Sequence, residues 1–317
     1  MLIFGILVTI MLACMLIGTI LHATLFTNRK NRIEPNGQLV AVEDGHMHVH
    51  VMGDGKDTVV LLSGLGIGLP SVDFAPLMRK LSEKYTVVVI EYFGVGFSST
   101  TSIPRTSAQY VEEIRIALAK VGLNFPYVLM PHSISNIFSE YYASLYPDEV
   151  KAIISLDGSS TAMYEKMPMY VNLLFPFAKF LQAVGMTSLL ARLITNKKNL
   201  LSYGYTEQEI EDMIVFSGFA INKTLLEQIS ESDTFIDQIR EHPFPASVPY
   251  LKVISKQTYE KSNTQFQMTP QEYQFKHLER IGAHARFEIL AGSHFIYFNN
   301  VDRIIAITDE VLANLSN

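Results

Sequence analysis

Apolar and polar positions divide the chain into three kinds of stretch. The first, Leu2 to Phe26, carries no acidic or basic side chain apart from His22. At about 1.5 Å per helical residue, a run of about 25 residues crosses the roughly 30 Å hydrocarbon core of a bilayer with some tilt. A secretory signal is the rival reading, but no positive region precedes the run and it is longer than the apolar part of such signals. Residues 2–26 are therefore read as a retained transmembrane anchor. Arg29, Lys30 and Arg32 follow it, so the positive-inside rule puts the remainder on the cytoplasmic face of the cell membrane. Residues 27–37, with Pro35, Asn36 and Gly37, read as a linker.

The second kind of stretch has strand and helix periods in alternation. Leu39 to Met52 alternates apolar and polar positions around a turn at Asp44-Gly45, which predicts a hairpin. Thr58–Leu62, Thr86–Ile90, Val128–Met130, Val150–Leu156, Val248–Ile254 and Arg286–Leu290 are read as further strands, mostly apolar runs of the sort buried on both faces of a parallel sheet. Between and after them, helical spacing is found at Phe74–Leu81, Tyr110–Val121, Ile137–Tyr146, Thr269–Ile281 and Val301–Leu315, the fourth opened by a capping-box pattern with Pro270 at its first helical position. Such alternation predicts an α/β domain with helices on both faces of a mostly parallel sheet. It spans 38–158 and 247–317. The third kind, 159–246, breaks the alternation with a Met- and aromatic-rich helical region (Met163, Met167, Met169, Phe175, Phe177, Phe180 among others) and reads as an inserted helical lid. That stripe either packs the lid on the core or lines an apolar acyl or alkyl pocket.

Four features fall at the carboxyl ends of predicted strands, where reactive sites of such sheets lie. They are Ser63-Gly64-Leu65, the Gly94–Ser98 loop, Ser133 and Asp157. Ser133 ends the run Tyr127–His132 and precedes a helix, so a sharp turn lifts its hydroxyl above the sheet and aims the helix N-terminus at charge formed there. Composition narrows the chemistry. The 317 residues are 48% hydrophobic and 18% charged, enough for a large core, and a net charge of −6 argues against nucleic acid as a partner. The single cysteine, Cys14, lies in the apolar run, so no intramolecular disulfide can form and thiol catalysis is disfavoured. No metal-ligand spacing and no phosphate-binding glycine loop is present, so neither metal nor cofactor is expected.

Four segments in order carry a resemblance to the α/β-hydrolase superfamily over residues 38–317: Ser63-Gly64-Leu65-Gly66, Glu91-Tyr92-Phe93-Gly94-Val95-Gly96-Phe97-Ser98, Pro131-His132-Ser133-Ile134-Ser135 and Gly292-Ser293-His294-Phe295. The third resembles the nucleophile elbow, with Pro131 and Ser135 where the family has glycines. Its Pro-His-Ser-x-Ser form is similar to a subgroup of bacterial membrane-anchored hydrolases. The resemblance implies an eight-stranded sheet with a helical lid. It also implies Ser133 as nucleophile, His294 as base, and backbone N–H groups of Leu65 and Ile134 as the oxyanion hole. For the acid it leaves Asp157 after the strand following the elbow helix, which is preferred, Glu260 after the next strand, or no acid at all. His132, beside Ser133, is read as packing or hydrogen bonding.

The expected function is thus a membrane-anchored serine hydrolase that cleaves a carboxylic ester, with a small-molecule ester or lipid-like substrate suggested by the apolar lid and anchor. Amidase or aminopeptidase action on the same triad is the enzymatic alternative. A ligand-binding receptor with little turnover is the alternative from another class. Dehalogenase chemistry fits less well because Ser133 holds the position of the aspartate nucleophile.

Overall fold

The computed structural model describes residues 2–163, 169–261 and 268–315. Eight strands form one sheet: β1 (Gln38–Val42), β2 (Gly45–Met52), β3 (Thr58–Leu62), β4 (Thr86–Ile90), β5 (Tyr127–Pro131), β6 (Val150–Leu156), β7 (Tyr250–Ser255) and β8 (Arg286–Leu290). Their spatial order is β1-β2-β4-β3-β5-β6-β7-β8. The β1–β2 hairpin and the β2–β4 pair are antiparallel, and every other pair is parallel.

Strands β3, β4 and β5 are buried at every position, which is why they read as unbroken apolar runs. Their side chains still alternate between faces. Val60, Leu62, Val88, Ile90 and Leu129 pack with Tyr110, Ile114 and Phe138 from the helices Ser107–Lys120 and Ser135–Leu145. Val59, Leu61, Val87, Val89, Val128 and Met130 pack instead with Phe74, Leu77 and Met78 at the helix Ala75–Leu81 and with Ile304 and Ile307 of Val301–Asn314. The sheet is thereby clamped between two helical layers, and the strand ends around β5 are held rigidly.

Between β6 and β7 the described residues form six lid helices: Met169–Ala183, Met186–Ile194, Lys197–Ser202, Glu207–Ser217, Lys223–Ser230 and Ser232–Arg240. Met167 of the expected stripe lies outside the described residues. Of the rest of that stripe, Phe175 is buried, whereas Leu173, Leu174, Phe177 and Phe180 are exposed. The N-terminal helix is long and apolar enough to span a membrane. It runs from Leu2–Leu21 through a π turn at His22–Phe26 into Thr27–Asn31, so the linker begins five residues later than the loss of hydrophobicity suggested. Contacts to the lid hold that extra turn: Arg29 pairs with Glu211 (3.0 Å), and the Lys30 ammonium sits over the rings of Phe216 and Phe219 (5.2 and 5.3 Å).

Candidate active site

β5 ends at Pro131, whose missing N–H is tolerated at a strand terminus. His132 continues the alignment by donating its N–H to Leu62 C=O (2.9 Å), and Ser133 then turns sharply with φ +56°. A left-handed backbone at a non-glycine residue is uncommon and persists only where its surroundings fix it. Here Ser133 N–H reaches Leu156 C=O (3.3 Å), while Ser133 C=O accepts from the N–H groups of Asn136 (3.1 Å) and Ser159 (3.0 Å). The elbow is thus tied to β6 and to the loop beyond it, the loop that carries Asp157.

Asp157, itself at φ +48°, is 137 residues from His294 in sequence, yet its Oδ2 accepts from His294 Nδ1 at 2.7 Å. With a carboxylate as acceptor, the proton belongs on Nδ1, leaving Nε2 as the basic nitrogen. Asp157 also accepts from Ser255 N–H at Oδ1 (2.8 Å), and at Oδ2 from Thr258 Oγ1 (2.6 Å) and Ser255 Oγ (3.0 Å). Burial pushes this carboxyl up, but the bonds from His294, Thr258 and Ser255 outweigh it and hold it below the usual carboxylate range. Glu260 is placed differently. It ends the helix Lys256–Glu260, well exposed, and its carboxylate lies 3.7 Å from Lys256.

His132 is buried against the segment that carries His294. Its ring lies 4.6 Å from that of His294, and Nε2–H donates to His294 C=O (3.0 Å). Burial, aided by the neighbouring His294, lowers its pKa to about 3, so it stays neutral at any working pH. It braces the loop that carries His294.

The Ser63–Leu65 loop lies against the elbow. A Cβ on Gly64 would sit 2.6 Å from His132 Nδ1 and 2.9 Å from Ser133 Cβ, so only glycine lets the two backbones approach this closely. Neither Leu65 nor Ile134 has an acceptor for its N–H among the described residues. Ser135, read from sequence only as a small residue in a glycine position, has a further part. Its buried hydroxyl bonds to Tyr92 OH (2.8 Å) and donates to Ser63 C=O, tying this loop to the start of the elbow helix. Leu65 and Phe295 help line a cavity of about 170 Å³ with Ile67, Met213, Phe298 and Asp73.

Sequence reasoning missed the buried polar group beneath the elbow helix. Glu140 accepts from His277 Nε2 (2.8 Å), from Tyr250 OH (3.1 Å) and from Asn136 and Thr161. Asn136 in turn donates to Ser159 C=O (2.9 Å) and accepts from Tyr250 OH (2.9 Å). A Glu at a helix-face position four residues after Asn136 was the only available signal. Desolvation favours a neutral His277, and the hydrogen bonds and cationic neighbours of Glu140 hold its carboxyl below the usual range in spite of burial.

An eight-stranded, mostly parallel sheet with a strained serine elbow at β5 and a histidine after β8 is the architecture of the α/β-hydrolase fold. The sequence profile of the alpha/beta hydrolase fold matches residues 57–208. An uncharacterised Bacillus subtilis protein, YbdG, is 40% identical over 125 residues, covering 39% of this chain and 38% of that protein. The chain spans only 31–41% of the length of the curated relatives it matches. Among solved structures, Cfl2 from Burkholderia cenocepacia superposes with a TM-score of 0.66 at 16% identity, covering 86% of this chain and 94% of that one. An enol-lactonase from Burkholderia xenovorans superposes at 0.61 and 17% identity, covering 87% and 100%. At such identities these two likenesses speak to the fold alone.

Proposed function

We propose that the protein is a membrane-anchored serine hydrolase that cleaves a carboxylic ester with a hydrophobic or lipid-like acyl group. The observation that carries this reading is the 2.7 Å bond between His294 Nδ1 and Asp157 Oδ2, in a chain whose only other candidate acid faces solvent. The match of residues 57–208 to the profile of the alpha/beta hydrolase fold supports it. In this reading Ser133 Oγ attacks the ester carbonyl carbon while His294 Nε2 takes the hydroxyl proton. Asp157 keeps the imidazole in the correct tautomer and stabilises the imidazolium. The N–H groups of Leu65 and Ile134 stabilise the oxyanion. Collapse expels the alcohol, which receives the proton from His294, and water then hydrolyses the acyl-enzyme with His294 again as base.

The N-terminal helix is the anchor in this proposal, and the positive-inside rule applied to Arg29, Lys30 and Arg32 supports a catalytic domain on the cytoplasmic face. A fluorophosphonate probe applied to the full chain in detergent tests the chemistry. Labelling is expected in the parent and absent in Ser133→Ala and His294→Ala. A folded parent that resists the probe overturns the proposal in favour of a ligand-binding receptor. Faster turnover of aminoacyl amides than of esters across a matched series reassigns the substrate class.

A further inference from the structure

The lid helix Met186–Ile194 is built inside out. Its large apolar side chains Met186, Leu189, Leu190, Leu193 and Ile194 recur at the spacing of a single helix face, and that face is exposed, Leu193 by 80% and Ile194 by 77%. Facing inward are Thr187, Ser188 and Ala191: Thr187 Oγ1 donates to Gly218 C=O (2.9 Å), and Ser188 packs on Gly218. In water a helix of this kind turns the other way round. The preceding helix does the same with Leu173, Phe177 and Phe180, and the two meet at a bend of 89°. Together they present a contiguous apolar patch of a size that soluble monomers seldom leave uncovered.

The bend also touches the N-terminal helix. A Cβ on Gly18 would lie 2.2 Å from Val184 C=O, and one on Gly185, at φ +72°, would meet Gly18 C=O at 2.9 Å. Gly18 precedes the end of the apolar run at Phe26 by about eight residues, or about 12 Å of helix. The corner of the lid therefore sits at the depth of the run's apolar residues, away from its basic end. At that basic end the charges collect: Arg29 and Arg192 both pair with Glu211 (3.0 and 2.8 Å), Lys197 also pairs with it, and Lys198 is exposed beside them.

We propose that the outward faces of the helices Met169–Ala183 and Met186–Ile194 rest in the lipid bilayer beside the N-terminal helix, with Arg29, Arg192, Lys197 and Lys198 at the headgroup level. The bilayer is the occupant for two reasons. The patch is continuous with a helix fit to span it, and cations rim the patch where anionic headgroups would lie. The proposal rests on reading the N-terminal helix as a membrane anchor, and it makes the lid a second, in-plane attachment.

The chain contains no tryptophan, so a single introduced Trp reports its own depth. Four full-length variants would be reconstituted in phosphatidylcholine–phosphatidylglycerol vesicles with brominated acyl chains: Leu193→Trp, Phe177→Trp, Ile10→Trp within the anchor, and Phe125→Trp ahead of β5 at the opposite end of the sheet. Both lid probes are expected to lose roughly half or more of their emission, as does the Ile10 position, with the Phe125 position unchanged. Quenching at Ile10 alone overturns the lid proposal and leaves the anchor standing. No quenching at Ile10 overturns the anchor reading and the lid proposal with it. Blue-shifted but unquenched lid probes mean that protein, such as a second copy, covers the face, and this too overturns the proposal.

Discussion

At φ +56°, Ser133 holds a conformation that costs a side-chain-bearing residue on the order of 1–2 kcal/mol. The hydrogen bonds to Leu156, Asn136 and Ser159 keep it there, so that cost is part of the site rather than a defect. Ser133→Gly is accordingly expected to raise stability by about 1 kcal/mol in thermal unfolding, while abolishing fluorophosphonate labelling. An unchanged or lowered melting temperature would mean that the elbow is not strained. For the acid, the expected asymmetry is large. Asp157→Asn replaces a carboxylate that can only accept by an amide that can also donate to Nδ1, so the His294 tautomer is no longer fixed and kcat should fall by roughly 10³–10⁴-fold, whereas Glu260→Gln should stay within about twofold of the parent. Sequence alone brought both carboxylates to a strand end. It could not separate them, because the choice depends on which loop curls back to residue 294. Thr258 and Ser255, which donate to Asp157 from the second of those loops, make the difference physically plain.

Elements were legible where burial imposes a period. The runs of β3 to β6 and the helices packed on them were readable because two buried faces make most of their positions apolar. β7 begins at Tyr250 instead of Val248, since Pro249 cannot donate to a ladder. Two features escaped a reading by pattern. The short helix Lys256–Glu260 is set by the Ser255 side chain capping Thr258 N–H (3.0 Å). The lid helices show the right period, but a period does not say whether water, protein or lipid is on the apolar side. The Ser63–Leu65 loop gives an element-scale prediction. Gly64→Ala inserts a Cβ against His132 and Ser133, so the loop must retreat and take the Leu65 N–H with it. Loss of one oxyanion donor corresponds to a kcat lower by about 10²–10³-fold. The fold should survive, since the loop lies outside the sheet. Steady-state kinetics beside a thermal melt check both halves, and near-parental kcat would show that the Leu65 N–H is not a donor.

At the scale of the whole molecule, Asp73 joins three parts by hydrogen bonds. It closes the short helix Pro70–Asp73 after the Ser63–Leu65 loop. Its carboxylate accepts from Tyr297, three residues beyond His294, and its backbone C=O accepts from Tyr205 of the lid. Burial raises its pKa to about 7, the Tyr297 bond offsetting only part of that rise. Other charges lie farther off: Glu209 and Arg79, which pair with each other, face Tyr205. The sign of the linkage follows from proton counts. Between about pH 4 and 7 the unfolded chain carries an ionised Asp73 while the folded chain keeps the proton, so the folded state binds more protons and stability falls as pH rises. Below that window both states are protonated and the effect vanishes; above it the loss is complete, on the order of a few kcal/mol. Asp73→Asn preserves an acceptor for Tyr297 and cannot ionise. Its melting temperature should therefore change less than the parent's between pH 5 and 8, with the two curves diverging toward the alkaline end. Parallel curves would mean that Asp73 ionises as freely in the folded protein as in water, and that the junction between loop, lid and histidine segment carries no proton at neutral pH.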